Sequence, residues 1–278
     1  MDKQSAMEII TSFPQGGPPI RAAVFDFDGT ISTLRHGWEA LMEPMMLRAL
    51  AGDETVTDDL RREVRAYISE STGIQTIYQM QWLAEKVGRR GLQAKDPWEY
   101  KAEYNGLILS LVERRLSALV DGKKTADDYL VGGSRAFLAM LRETGVDLYA
   151  ASGTDHPDVL RESACLGVAG YFTEIAGAPV GMASCSKEAV LRRLLREKNL
   201  TGPELVVIGD GKVEIALGRE VGAICLGVAS DEERRQGVNQ TKKRRLIEAG
   251  AHVIVGDFTA VGQILDFLKG PAASKLAL

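Results

Sequence analysis

Cysteine is scarce in this chain: Cys165, Cys185 and Cys225 make three, an odd number with no Cys-x-x-Cys pair. That excludes a disulfide framework or a paired-thiolate metal site as the organising feature. The three are expected as buried small residues in a reducing cytosol. Also missing is any apolar run near the ~20 residues of a membrane span. Residues 1–15 lack a basic stretch followed by an apolar one, so no secretory signal is expected. No charge of one sign dominates. Lysine and arginine number 34 against 38 for aspartate and glutamate, with a pI near 5.6. That balance gives no reason to expect a nucleic-acid partner. Internal repeats and low-complexity tracts are absent as well.

What is present is ordinary for a soluble, cytoplasmic, enzyme-like protein, with 45% hydrophobic and 26% charged residues. A length of 278 residues allows one large domain or two moderate ones. Met7 to Ile10 reads as a short flanking piece. Pro14, Gly16, Gly17, Pro18 and Pro19 then make a leader loop, since that cluster suits neither helix nor central strand. Ala22 to Phe27 is an apolar, β-leaning run. From His36 to about Asp121 helical spacing replaces it. Segments run from Gly37 to Ala51 (bent at Pro44), from Leu60 to Ser69 behind a Thr57 cap, and from Ile74 to Val87. A fourth starts at Asp96-Pro97, with Tyr100, Tyr104, Leu107 and Leu111 along one side. Their Met and aromatic stripes are expected to pack on one another as an all-helical unit.

From Gly133 onward helix and strand alternate. Helices are expected over 134–143, 157–166, 187–198, 214–220, 242–248 and 260–268, with strands over 146–151, 172–176, 205–208, 223–228 and 252–255. The fold class implied is α/β: a doubly wound, mainly parallel Rossmann-like sheet covered on both faces, carrying the helical unit as an insertion after the first strand. Ligands of such sheets bind beyond the carboxyl ends of the strands. Candidate motifs were therefore sought just past strand ends.

The first is Val24-Phe25-Asp26-Phe27-Asp28-Gly29-Thr30. Residues i and i+2 of a strand share a face, so Asp26 and Asp28 leave the strand end close together unless the chain curls at Gly29. Two anions that close call for a cation or a shared proton; the plainer reading is a solvated Asp-Gly turn. Ser152-Gly153-Thr154 follows the strand at 146–151 and precedes a helix, which suits an anion site or simply a capped loop. Lys187 opens a helix behind Ser186, where its charge opposes the helix dipole. It is either a surface lysine or the neighbour of an anion. Val207-Ile208-Gly209-Asp210 ends another strand on a carboxylate, with Glu214 four residues later. Lys198 and Lys212 are weaker lysine candidates. Arg35, His36 and Trp38, and the break Thr72-Gly73-Ile74-Gln75-Thr76, lie where the helical unit approaches the strand ends, or merely pack as linkers. Lys242-Lys243-Arg244-Arg245 reads as a solvated helix face among Asp231, Glu232, Glu233 and Glu248.

Asp-Phe-Asp-Gly-Thr after an apolar strand resembles the first motif of the haloacid dehalogenase-like (HAD) superfamily, whose members are mostly phosphohydrolases. Ser152, Lys187 and Gly209-Asp210 resemble its second, third and fourth motifs, in that order. The likeness covers 21–34 and 130–257, and implies a core of residues 1–33 and 130–278 with a helical cap at 34–129. It implies Asp26 as nucleophile, Asp28 as general acid/base, Ser152 and Lys187 on the transferring phosphoryl group, and Gly29, Thr30, Gly153 and Thr154 as phosphate-binding. Mg2+ is the implied cofactor, held by Asp26, the Asp28 backbone carbonyl, Asp210 and, less directly, Glu214, where many members have Asp. An all-oxygen ligand set suits such a hard cation. The expected partner is a small phosphate ester, perhaps of a sugar, with no nucleic acid or membrane, and the chain a monomer or homodimer. A phosphosugar mutase built on the same motifs and a non-catalytic regulatory subunit are the alternatives.

Overall fold

The computed structural model describes residues 7–11, 17–183 and 186–269. Pro14, Gly16 and Cys185 of the sequence reading lie outside them. Seven strands form one sheet: β1 (Met7–Ile9), β2 (Ala22–Phe25), β3 (Asp147–Asp155), β4 (Glu174–Ala178), β5 (Leu205–Gly209), β6 (Ile224–Val228) and β7 (Val253–Val255). Their order is β1-β7-β6-β5-β2-β3-β4, parallel except for β1, which pairs antiparallel with β7. The Met7–Ile10 piece is thus an edge strand, and the helical run follows the second strand of the chain rather than the first.

Alternation along β2 builds two cores. Ala23 and Phe25 face one side with Phe137 and Leu138 of α5 (Ser134–Glu143), Val159 of α6 (His156–Cys165) and Ile264 of α10 (Val261–Lys269). Ala22 and Val24 face the other, against Val190, Leu191 and Leu194 of α7 (Ser186–Glu197). Ile215 of α8 (Lys212–Glu220) and Leu246 of α9 (Gln240–Glu248) extend that second layer over β6 and β7. Helices on both faces of a near-continuous apolar sheet are what βαβ connections require. Cys225 is buried in the second layer; Cys165, expected inside, is exposed at the end of α6. Among the described residues no helix is long and apolar enough to cross a membrane.

Between β2 and α5 lie α1 (Trp38–Ala51), α2 (Asp58–Glu70), α3 (Thr76–Arg89) and α4 (Pro97–Val120). They share a separate apolar cluster that includes Met42, Met46, Leu60, Val64, Met80 and Leu83. Pro44 sits inside α1, Thr57 Oγ1 caps α2, and Asp96 caps α4 ahead of Pro97. The 24-residue α4 belongs to both bodies. Tyr100, Tyr104 and Ile108 pack in the helical cluster, whereas Val112 and Leu116 pack in the sheet core. Arg115 ties the same helix to the segment leaving β2, its Nη1 donating to the carbonyls of Thr33, Leu34 and His36 at 3.3, 2.7 and 2.9 Å.

Candidate active site

The sheet order reverses at β2, whose neighbours are β5 and β3. The crevice at its carboxyl end is where such sheets bind ligands. The Asp26 N–H still donates to Ile208 O at 2.8 Å, so the residue is held against β5. Beyond it the Phe27 carbonyl accepts from both Ile31 and Ser32, curling the chain. Gly29 makes that curl possible. Its φ is +78°, and a Cβ there would lie 2.3 Å from Asp210 Oδ2.

Lys187, 5% exposed, is the buried cation of the site. Its Nζ lies 3.0 Å from Asp26 Oδ1 and 2.8 Å from Glu214 Oε2. The conflict between a lysine and a helix N-terminus is resolved by these two carboxylates. Glu214 reaches this far because Gly209 and Gly211 leave room; a Cβ at Gly209 would fall 2.3 Å from Glu214 Oε1. That oxygen accepts the Gly211 N–H at 2.6 Å. Both oxygens of Glu214 are therefore engaged, and its immediate task is to hold Lys187. Burial pushes the Asp26 carboxyl well above its usual range; Lys187 opposes this, while Glu214, Asp210 and Asp28 reinforce it.

Asp28 sits on the β3 side. Its Oδ2 accepts from the Thr154 hydroxyl at 2.8 Å and the Ser152 hydroxyl at 3.2 Å. Its Oδ1 is buried with no hydrogen-bond partner, 3.8 Å from Arg35 Nε. Arg35 is itself locked by Glu162, with Nη2 at 2.6 Å and Nε at 3.2 Å from Oε1, and lies 3.5 Å from Asp158. Burial drives the Glu162 carboxyl up to about 7, with Arg35 opposing and Asp28 adding to the rise.

The sequence reading ends β3 at Ala151 and makes Ser152-Gly153-Thr154 a loop with exposed amides. The strand instead continues to Asp155, its pairing with β4 shifting register between Ala151 and Asp155. The Thr154 N–H turns inward to Ser152 Oγ at 3.0 Å. Thr30 is fully buried, with Oγ1 3.5 Å from Asp210 Oδ1, and does not line the cavity that Gly29, Gly153 and Thr154 border. Lys198 pairs with Asp147 at the surface, 3.5 Å away. Lys212 lines a separate groove. His36 lies 3.7 Å from Glu232, outside the cavity wall.

Lys242 overturns its assignment to a solvated face. Its Nζ is 2.7 Å from Asp210 Oδ2, 2.5 Å from Glu232 Oε1 and 3.3 Å from Ser230 Oγ. Arg245 Nη2 donates to the Asp210 carbonyl at 3.2 Å, while its Nη1 donates to Ser69 O at the end of α2. Burial works to raise Asp210, but Lys242, with Arg245 and Lys187 behind it, outweighs that and holds the carboxyl below its usual range. α9 starts two residues before the expected boundary, so Lys242 sits in a first helical turn, as Lys187 does.

Asp26, Asp210 and Glu214 are all buried and offer oxygens within 4.8 Å of one another. This all-oxygen donor set fits a hard divalent cation. Glu214 has both oxygens taken, by Lys187 and the Gly211 N–H, whereas Asp26 meets Lys187 through Oδ1 and Asp210 meets Lys242 through Oδ2, so Asp26 and Asp210 are the side chains that would hold it. The segment at Thr72–Ile74 closes the site from the helical side. A Cβ at Gly73 would stand 3.4 Å from Glu214 Oε2, and one at Gly153 would stand 3.3 Å from Ile74 O. A cavity of about 110 Å³ remains between this segment and Asp26, Asp28 and Lys187.

The sheet order and the carboxylates at the switch point define a doubly wound α/β protein with its candidate site at the carboxyl end of β2. A family model of haloacid dehalogenase-like hydrolases matches residues 20–222, and the chain belongs to that family. By family it is a HAD-like hydrolase. Solved structures of similar fold include a phosphonoacetaldehyde hydrolase-like protein from Oleispira antarctica, 16% identical with TM-score 0.61, covering 94% of this chain and 98% of that one. A protein described as a predicted phosphoglycolate phosphatase from Haemophilus somnus is 14% identical with TM-score 0.60, covering 90% and 100%. A β-phosphoglucomutase from Clostridium difficile is 14% identical with TM-score 0.57, covering 82% and 98%. At such identities the likeness is one of fold. No curated protein sequence matches this chain.

Proposed function

We propose that the chain is a Mg2+-dependent phosphatase of a small phosphorylated metabolite, acting through an aspartyl-phosphate, with residues 34–129 as its cap. One observation carries the reading: Asp26, gripped by Lys187, and Asp28, gripped by Thr154 and Ser152, border the same cavity.

Asp26 attacks phosphorus and the bond to the ester oxygen breaks, leaving a phosphoryl group on the carboxylate. Asp28 gives its proton to the departing oxygen. It then takes one from the water that splits the aspartyl-phosphate, restoring both carboxyl groups. Lys187 and the Thr154 hydroxyl face the phosphoryl oxygens as their charge is redistributed. Mg2+ held by Asp26 and Asp210 would offset the repulsion between nucleophile and phosphate. Closure of 72–76 over the site excludes bulk water from the first step.

The test is inorganic phosphate release from a panel of phosphorylated metabolites, with Mg2+ or EDTA, for wild type and Asp26→Asn. Release that needs both metal and Asp26 supports the proposal. Turnover only with a bisphosphate primer, and no net phosphate, would replace it with the mutase reading. Neither activity in folded protein would remove the enzymatic reading.

A further inference from the structure

Resting on the phosphatase reading, we infer that the cavity selects a short, uncharged, hydroxyl-bearing leaving group. Gln79, Thr76 and Tyr104 act as its specificity-determining residues. The argument is one of polar groups left over and charges already used.

The wall opposite the carboxylates is built by Trp38, Thr72, Ile74, Thr76, Gln79 and Tyr104. None carries a charge. Gln79 and Tyr104 are 3% and 5% exposed and border this cavity. Gln79 Nε2 donates to Ser71 Oγ at 3.0 Å, which fixes the amide and turns Oε1 into an unengaged acceptor. Among the described residues, the Thr76 and Tyr104 hydroxyls likewise make no hydrogen bond. Three uncharged polar residues thus line one small cavity together with Trp38. Hydroxyl groups of a ligand complete all three, as donors to Gln79 and in either sense to the two hydroxyls.

Charged residues at this end are already committed. Arg35 is neutralised by Glu162, with Asp158 and Asp28 close by. Glu232 is paired with Lys242. A second phosphate or a carboxylate on the leaving group would meet no free cation here, and would face Asp28 and Glu232. Size adds a limit. About 110 Å³ is well below the ~300–1,000 Å³ of pockets for drug-sized ligands, which favours a chain of a few carbons over a hexose.

The experiment compares kcat/KM for four esters: glycerol 3-phosphate, its carboxylate counterpart 3-phosphoglycerate, propyl phosphate without hydroxyls, and glucose 6-phosphate. The first is expected to exceed each of the others by about tenfold or more, the factor that about one net hydrogen bond supplies. Gln79→Leu keeps the bulk and removes the acceptor. It is expected to shrink the glycerol-to-propyl ratio about three- to tenfold. Preference for 3-phosphoglycerate or glucose 6-phosphate, or an unchanged ratio in Gln79→Leu, overturns the inference. If no ester is hydrolysed, calorimetric binding of the four to Asp26→Asn separates the two failures. Tighter glycerol 3-phosphate binding keeps the selectivity and rejects only the phosphatase reading; equal or absent binding rejects both.

Discussion

Lys187 carries more of the site than any other single side chain, since it is the cation shared by Asp26 and Glu214. Lys187→Met leaves two carboxylates buried without it, and removing one partner of a buried ion pair costs about 3–5 kcal/mol. Urea unfolding in EDTA is expected to show a loss of that order, partly recovered when Mg2+ is added. Asp28→Asn keeps an acceptor for Thr154 and Ser152 but cannot cycle a proton; phosphate release is expected to fall about 10²–10⁴-fold. Glu162 gives a pH signature. Its carboxyl rises from an ordinary 4.5 to about 7 on folding, so the folded chain holds more protons than the unfolded one between those values. Its contribution to stability is complete below about 4.5 and lost as pH rises through about 7. Glu162→Gln, which mimics the protonated carboxyl and cannot titrate, is expected to show a flatter fall across that window in urea titrations. At this scale the sequence was legible where one strand or one helix end places a residue: Asp26, Asp28, Asp210 and Lys187 follow from local pattern. Lys242 was not, because its neighbours Lys243, Arg244 and Arg245 give it the look of a solvated run. Only the return of α9 over β6 and β7 brings its ammonium to Asp210. Thr30 and Glu214 needed the tertiary structure for the same reason, since their partners are remote in sequence.

Among the elements, the alternating helices and strands from Gly133 onward lie close to where periodicity puts them, because each is long enough to show its apolar face. Two misses share a physical cause. β1 is three residues laddered to β7, too short for a pattern. The last four residues of β3, Ser152 to Asp155, have turn-forming side chains and are kept extended by a shifted pairing with β4 and by Asp28. Side-chain chemistry alone argues for a loop there, and tertiary contacts override it. The link between β2 and α1 is held differently, by one guanidinium on three carbonyls. Arg115→Met strands those carbonyls, which is expected to cost about 1–3 kcal/mol in thermal or urea unfolding while leaving the sheet intact.

For the molecule as a whole, closure joins α1–α4 to the sheet at points around the cavity. Arg245 spans Ser69 O and Asp210 O, and Lys101 and Asn105 of α4 both hold Asp155, at 2.5 and 3.1 Å. Lys101→Met loosens the closed arrangement without touching Asp26, so KM for the ester is expected to rise roughly tenfold, the equivalent of about 1.4 kcal/mol, with a smaller change in kcat. The helical unit was readable from sequence as a class. Its seat on the sheet was not, because the contacts that set it pair residues fifty or more positions apart. Helix α4 has a further consequence for anyone grafting one member's leaving-group selectivity onto another. The border between the two packing clusters falls within its turns, between Ile108 and Val112, and not in a loop. A chimera joined in the loops on either side of α4 would import half a helix of foreign sheet-core residues. The productive seam is mid-helix, in register, where three or four residues decide whether the recombinant folds.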